Sequence, residues 1–312
     1  MSNQLHYFFV RYGRLSFLSI AGWAGIFTGS FAQPVTLHKE IIIRMSSDHT
    51  SFPDTGRIHG HLYDGILYDA PAHYQDSSVM VILPRGLPAS EKLNMVFWFH
   101  GWNNNIDTAS NYYHLVKQFL DSRRNAALVF AETAKNSPDS YGGKLEQPGV
   151  FDALVQDILL KLKKEKLITP ECLPGNLILA GHSGAFRVIA HILEYGGLPV
   201  REVELFDALY SQTDKFYNWI QKDSSHRFIN WYTNQGGGTD EVSVQMMGDL
   251  KKQGIPLLFL EETDLAPGSL RANRILFIHS ARAHNDIIFH PDNFQLLLEN
   301  SGFLPILVGL RK

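Results

Sequence analysis

The chain contains a single cysteine, Cys172, among its 312 residues. One cysteine cannot form an intramolecular disulfide, and metal sites built from several thiolates are excluded for the same reason. Cys172 stands in the segment TPECLP, a connector between two predicted elements. Because no activating pattern surrounds its thiol, we expect a structural role and not a nucleophilic one.

An excess of charge of either sign is also lacking. The formal net charge is -3, so the chain has no basic surplus of the kind that nucleic-acid binding requires. Hydrophobic residues make up 45% and charged residues 19% of the chain, which is typical of a globular protein and excludes a disordered one. No internal repeat, low-complexity tract or linker marks a second domain.

A long apolar run is absent, but a short one occurs near the N-terminus. Arg11 and Arg14 precede the apolar residues 15–27, and the small residues Ser30 and Ala32 follow. This order predicts a secretory signal peptide over residues 1–32, cleaved after Ala32. We therefore expect export to the periplasm or the extracellular medium. A spanning helix needs about 20 apolar residues, so an uncleaved membrane anchor is the less favoured alternative.

The remaining residues, 33–312, are expected to form a single α/β domain. Short apolar runs predict strands, and segments with apolar residues three to four apart predict helices. The predicted strands are 40–43, 79–84, 94–99, 126–131, 176–180, 203–206, 228–233 and 275–278; the predicted helices are 112–122, 149–164, 185–195 and 292–300. We expect the first two strands to be antiparallel, and the alternation that follows them predicts a mostly parallel sheet with helices on both faces.

Residues 234–274 separate the last two predicted strands and fit this alternation poorly. A polar helix is expected near residues 240–253, and an apolar run follows at 256–260. The segment is either an insertion over the active site or a plain surface excursion.

Ser183 stands between a predicted strand and a predicted helix, in Gly181-His182-Ser183-Gly184-Ala185. A serine at such an abrupt turn projects its hydroxyl, and the flanking glycines relieve crowding there. Ala185 departs from the strict G-x-S-x-G pattern, although alanine is also small. The setting favours Ser183 as a catalytic nucleophile over a buried serine in a glycine-rich turn.

A serine hydroxyl needs a base to become an attacker at neutral pH. In an architecture of this kind, the base is expected just after the final strand. His284 lies in that loop, whereas His279 stands at the strand end and His290 almost at the start of the next helix. We therefore predict His284 as the base, with His290 as its competitor.

The acid that orients the base is less determined by the sequence. Asp207 ends the strand 203–206, which places its carboxylate at the same sheet edge as the serine. The acid more usually follows the next strand, which leaves Asp240, Glu261 and Glu262 open. Asp207 could instead cap a helix. Asp207 is the favoured candidate.

The oxyanion of acyl transfer requires hydrogen-bond donors. The strand at 95–99 runs into a His-Gly-Trp turn, which predicts the amides of Trp102 and Gly184 as these donors. Asn103 follows in the same turn, and Tyr141 lies in a loop expected on the same face. Both are candidate substrate-binding residues.

A metal site is a weaker interpretation. His59, His61 and Asp64 are close in sequence, but no further ligand follows at dependable spacing. We therefore predict no metal and no cofactor, and metal-assisted hydrolysis at these residues remains a minor alternative.

Together, the strand-His-Gly-Trp turn, the Gly-His-Ser-Gly elbow and the late His-Asn-Asp loop resemble the α/β-hydrolase superfamily. The resemblance covers residues 94 to the C-terminus and points to the superfamily, not to one of its members. It implies an eight-stranded, mostly parallel sheet and serine hydrolase activity, usually on esters. The expected partner is then a small-molecule or carbohydrate ester. The alternatives are a non-catalytic binding protein of this fold and an amidase or peptidase with the same triad. The sequence gives no signal for an oligomeric state.

Overall fold

The computed structural model describes residues 40–235 and 237–307. The predicted signal peptide lies outside these residues. The strands are β1 (Glu40–Ser46), β2 (His61–Tyr63), β3 (Ile66–Tyr68), β4 (Ser78–Pro84), β5 (Lys92–Phe99), β6 (Ala127–Ala131), β7 (Leu173–His182), β8 (Val200–Phe206), β9 (Arg227–Thr233), β10 (Leu258–Glu261) and β11 (Ile275–Ser280). The α-helices are α1 (Ala70–His73), α2 (Ile106–Tyr112), α3 (Leu115–Asp121), α4 (Val150–Lys164), α5 (Phe186–Tyr195), α6 (Thr213–Lys222), α7 (Thr239–Lys252), α8 (Pro267–Ala272) and α9 (Asn293–Asn300).

In the described chain, nine strands form the main sheet, in the order β1-β4-β6-β5-β7-β8-β9-β11-β10. The pairs β1–β4 and β4–β6 are antiparallel, and all other neighbours are parallel. The predicted antiparallel start and parallel continuation are thus confirmed. The additional edge strand, β10, pairs with β11 and accounts for nine strands where the resemblance implied eight.

Both faces of the sheet are covered, so its central strands are buried at almost every position. Neighbouring residues of β5 show why, because successive side chains of a strand point to opposite faces. Phe97 packs on one face against Phe151 of α4, with ring centroids 4.9 Å apart. Trp98 packs on the other face against Phe294 of α9, also at 4.9 Å. A single strand therefore supplies the apolar centre of two separate cores.

The prediction of one continuous helix over residues 112–122 is wrong, because the chain is not helical between Tyr112 and Leu115. The helix α2 ends at Tyr112 and α3 begins at Leu115. Between them, His114 adopts φ 51°, a left-handed conformation that a continuous α-helix does not contain. The break turns Tyr113 into the interior while Tyr112 stays exposed.

Helix α6 has no counterpart among the predicted elements. Its buried residues Phe216, Trp219 and Ile220 have the three-to-four spacing of an amphipathic helix. That spacing was a usable signal in the sequence.

Residues 234–274 carry more regular structure than expected. The predicted polar helix is confirmed as α7, and β10 and α8 follow it. That this segment is an insertion above the active site remains a prediction. Within residues 40–235 and 237–307, no helix has the length and apolarity that crossing a bilayer requires.

Candidate active site

The turn that carries Ser183 is sterically tight. Strand β7 ends at His182, and Ser183 adopts φ 55°, a conformation that costs an L-residue about 1–3 kcal/mol. A Cβ added at Gly181 would lie 2.6 Å from the Cβ of Ala185. The alanine that departs from the motif therefore occupies space that the first glycine leaves empty. A Cβ at Gly184 would lie 2.6 Å from Cδ1 of Trp102, so this position also requires glycine.

His284 and Asp207 are directly paired. Nδ1 of His284 lies 2.6 Å from Oδ2 of Asp207. The Asp207 carboxylate is fully buried and also accepts bonds from the Thr233 amide at 3.0 Å, the Thr233 hydroxyl at 2.7 Å and the Thr239 hydroxyl at 2.5 Å. Burial raises the pKa of Asp207, but the hydrogen bonds from His284, Thr239 and Thr233 outweigh it and hold the pKa below its usual value. An ionised Asp207 fixes the proton on Nδ1, which leaves Nε2 of His284 as the basic nitrogen.

The other carboxylates considered from the sequence have different partners. Glu261 accepts from Nδ1 of His279 at 2.7 Å. Glu262 accepts from Nε of Arg282 at 2.9 Å. Asp240 stands in the first turn of α7 and is partly exposed. Of the four acidic candidates, Asp207 is the one that the structure brings to His284.

A second histidine, His182, supports the loop that carries His284. The two rings lie 4.4 Å apart, and Nε2 of His182 donates to the main-chain carbonyl of His284 at 3.1 Å. The Tyr113 hydroxyl donates to Oδ1 of Asn285 at 2.8 Å and lies 3.3 Å from Nδ1 of His182. Burial, assisted by the charge of the neighbouring His284, lowers the pKa of His182 to about 3. His182 is therefore neutral at physiological pH.

The turn after β5 lies directly against the serine. A Cβ added at Gly101 would stand 2.6 Å from Cβ and 3.1 Å from Oγ of Ser183. In the described chain, the Trp102 amide makes no hydrogen bond, so it is available to a ligand. The Trp102 indole packs on Gly184, and its Nε1 donates to Oγ of Ser140 at 2.7 Å.

These groups open into one cleft of about 400 Å³. Its lining is mixed and includes aromatic side chains, amide side chains, the serine and two histidines. The lining residues are Trp102, Asn103, Asn104, Thr108, Tyr112, Tyr113, His182, Ser183, His284 and Asn285. The structure thus brings together Ser183, His284, Trp102 and Asn103, with Asp207 behind the histidine.

Tyr141, one of the two predicted substrate-binding residues, does not line this cleft. Its hydroxyl donates to Oδ1 of Asp54 at 2.7 Å. Its ring centroid lies 4.7 Å from the guanidinium carbon of Arg57 and 5.1 Å from that of Arg187. With these partners, the side chain is part of a structural cluster beside the site.

The fold of this chain is similar to the folds of solved esterase structures. A ferulic acid esterase superposes with a TM-score of 0.52, covering 83% of this chain and 97% of its own, at 10% identity. A mutant of the feruloyl esterase module from Clostridium thermocellum, complexed with sinapinate, gives a TM-score of 0.50, covering 84% and 88% at 10% identity. The chain has the α/β-hydrolase fold. No protein-family model matches the sequence, and no curated protein matches it significantly.

Within this α/β-hydrolase fold, Asp207, the predicted acid, has an uncommon position. Asp207 follows β8, the strand next to the serine-bearing β7, and not the strand after it. Thr233 ends that further strand, β9, and gives both its amide and its hydroxyl to Asp207. Strand β9 therefore holds the carboxylate in place instead of supplying it.

Sequence reasoning missed Tyr210, which stands three residues after Asp207. The Ser183 side chain lies near its hydroxyl and is one of the groups that influence its pKa. Burial, with a contribution from the charge of Asp207, raises the pKa of Tyr210 to about 12, so its phenol remains protonated. Neither Tyr210 nor Tyr113 has a local sequence signal, because each reaches the site through a turn that only the tertiary fold defines.

A larger cavity, of about 560 Å³, lies at the other ends of the strands of this α/β-hydrolase fold and shares no lining residue with the cleft. Arginines line it, and those at Arg124 and Arg274 donate to backbone carbonyls. In residues 40–235 and 237–307, no three His, Cys, Asp or Glu side chains are grouped so as to hold a metal ion. We assign the candidate active site to the smaller cleft because Ser183 and His284 line it, and His284 is paired with Asp207.

Proposed function

We propose that the protein is a serine hydrolase of carboxylic esters with Ser183, His284 and Asp207 as its triad. The observation that carries the proposal is the 2.6 Å contact between His284 and a buried, ionised Asp207, in the same fold as a serine held at φ 55° beside the cleft. A structural serine in a glycine-rich turn would not require this pair.

The reaction follows from the positions of the groups. His284 Nε2 takes the proton of the Ser183 hydroxyl as Oγ attacks the ester carbonyl, and Asp207 stabilises the imidazolium that forms. The amides of Trp102 and Gly184 donate to the developing oxyanion. His284 then gives its proton to the departing alcohol, which leaves an acyl group on Ser183. Water, deprotonated by His284, releases the acid and restores the serine.

The substrate is a small-molecule or carbohydrate ester. A cleft of about 400 Å³ admits a group of small-molecule size and not a folded chain. The amide side chains of Asn103 and Asn104 lie in its wall and can bond polar parts of such an ester.

The direct test is hydrolysis of p-nitrophenyl acetate by Ser183→Ala. We expect kcat/KM to fall by at least about 1,000-fold, since the nucleophile is removed and only binding groups remain. Ser225→Ala is the matched control, because Ser225 is exposed and lies outside the cleft. Unchanged hydrolysis in Ser183→Ala, with wild-type circular dichroism, would overturn the proposed mechanism.

We also propose that the protein is exported, on the basis of the basic, apolar and small-residue order of residues 11–32. N-terminal sequencing of the protein recovered outside the cytoplasm is expected to start at Gln33. Recovery of the full-length chain in the cytoplasm alone would contradict export.

A further inference from the structure

A small hairpin stands outside the main sheet and is unusually apolar at its surface. Strands β2 and β3 form it, and Asp64 and Gly65 make its turn with φ 48° and 74°. Four of its large apolar side chains are between 42% and 67% exposed: Leu62, Tyr63, Ile66 and Leu67. Contiguous exposed apolar surface of this kind marks a binding surface.

This hairpin is continuous with the candidate active site. The ring of Tyr63 packs edge-to-face on Trp102, with centroids 5.3 Å apart and an interplanar angle of 75°. Trp102 lies on Gly184, next to the serine, and its indole is held by the bond to Ser140. Trp102 is still 42% exposed. A fixed aromatic surface therefore extends from the nucleophile to the hairpin.

Both faces of the hairpin are apolar, but only one of them contacts the candidate active site. Tyr63 is paired with Ile66, and Leu62 with Leu67. Since successive side chains of a strand point to opposite faces, Tyr63 and Ile66 share the face that contacts Trp102. Leu62 and Leu67 share the opposite face. The hairpin thus offers one apolar face to the site and one away from it.

The cleft alone does not need this apolar face for the chemistry of a short ester. Its serine, histidine and amide groups all lie outside the hairpin, and Tyr112, itself 52% exposed, already lines the cleft. An ester with a bulky apolar group would extend past Trp102 and cover Tyr63 and Ile66, which removes their surface from water. The contact with Trp102 favours this occupant over a protein partner, because it joins the apolar face to the place where the ester is cleaved.

We propose that the face formed by Tyr63 and Ile66, together with Trp102, binds a bulky apolar group of the ester substrate. The inference rests on the proposed function and specifies the substrate class of the same site. Aromatic and aliphatic groups share the chemistry that this face recognises, so the experiment includes both.

The test compares Ile66→Ser with the matched control Leu67→Ser on the opposite face. For each protein, kcat/KM is measured on ethyl acetate, ethyl octanoate, octyl acetate and benzyl acetate by proton release. Ile66→Ser is expected to lower the ratio of kcat/KM for the bulky ester to that for the short ester about tenfold, through KM, since the variant loses the apolar surface that the substrate would cover. Leu67→Ser is expected to leave the ratio at its wild-type value. Ethyl octanoate carries the bulky group on the acyl side and octyl acetate carries it on the alcohol side, so the comparison of these two shows which half of the ester lies on the hairpin. The comparison of benzyl acetate with octyl acetate shows whether the hairpin prefers a ring or a chain.

A binding measurement separates failure of this inference from failure of the proposed function. The ketones 2-decanone and 4-phenyl-2-butanone resemble the esters but cannot be hydrolysed, and their Kd can be measured by calorimetry with or without any esterase activity. Ile66→Ser should weaken at least one of them about tenfold relative to Leu67→Ser. Equal affinities in the two variants would overturn the inference. So would a change of oligomeric state in Ile66→Ser with unchanged ketone binding, because the hairpin would then be a contact between proteins.

Discussion

At the scale of single residues, the candidate site places two histidines in contact and gives them different environments. Both line the cleft, but His284 is paired with Asp207 and partly exposed, whereas His182 is almost fully buried. A charged His182 would repel the imidazolium that His284 becomes during the reaction. The low pKa of His182, about 3, keeps its ring neutral and so removes this repulsion. Its Nε2–H still donates a hydrogen bond to the His284 carbonyl.

The same pKa predicts a pH dependence of stability. His182 stays neutral in the folded protein down to about pH 3, but in the unfolded chain it binds a proton near its ordinary pKa of 6.5. As the pH falls below 6.5, the unfolded state gains the proton first, so the free energy of unfolding decreases. Between pH 6.5 and 5.0, we expect the wild type to lose about 1.5 kcal/mol more than His182→Gln.

Urea denaturation of both proteins at the two pH values measures this difference. Glutamine retains a side-chain N–H donor and does not titrate, and all other groups are common to the two chains. Equal losses in the wild type and the variant would contradict a buried, neutral His182.

At the scale of elements, the site depends on how closely β5 and β7 and their turns approach each other. The two strands are paired in parallel from Met95 to Phe99, so the turns after them meet at one edge of the sheet. Gly101 in the first turn contacts Ser183 in the second, with no room for a methyl group between them. The packing of these turns fixes where the serine hydroxyl points.

Gly101→Ala is therefore expected to lower kcat/KM on p-nitrophenyl acetate by about 100-fold or more. The added methyl would lie 2.6 Å from Cβ of Ser183 and 2.9 Å from the His182 carbonyl oxygen. The serine would have to move to relieve this clash, and a displacement of about 1 Å at a reacting group lowers the rate by about this factor. Gly248→Ala is the control, because a Cβ at that position of α7 meets no atom within 4 Å. It should retain activity and gain about 0.5–1 kcal/mol of stability, as alanine does over glycine in a helix. Equal activity of the two variants would show that the turns are not in contact.

The elements differ in how well the sequence predicted them. The parallel strands and the turn at Ser183 were predictable because continuous apolar runs and a glycine-flanked serine are local signals. The break at His114 was not, because the left-handed residue there is a histidine and not a glycine, which is the residue that usually marks this conformation. The edge strand β10 was read only as an apolar run at 256–260, since an edge strand of four residues has too few positions for a clear alternation.

At the scale of the whole molecule, the proposed triad joins residues that are far apart in the chain. Asp207 and His284 are separated by 77 positions, and they meet because the carboxyl ends of parallel strands lie at the same edge of the sheet. The sequence could therefore predict the edge, and with it Ser183 and His284 as candidates. It favoured Asp207 among the four carboxylates but left the other three open, because the contacts of Asp207 with Thr233 and Thr239 form only in the folded protein.

The most direct test of the central claim is labelling with a fluorophosphonate, which reacts with a serine hydroxyl that a neighbouring base activates. The account predicts a single adduct, located on Ser183 by peptide mass spectrometry, and much slower labelling of Asp207→Asn at neutral pH because the imidazole is then held in the wrong tautomer. An unlabelled wild-type protein, or an adduct on a residue other than Ser183, would contradict it.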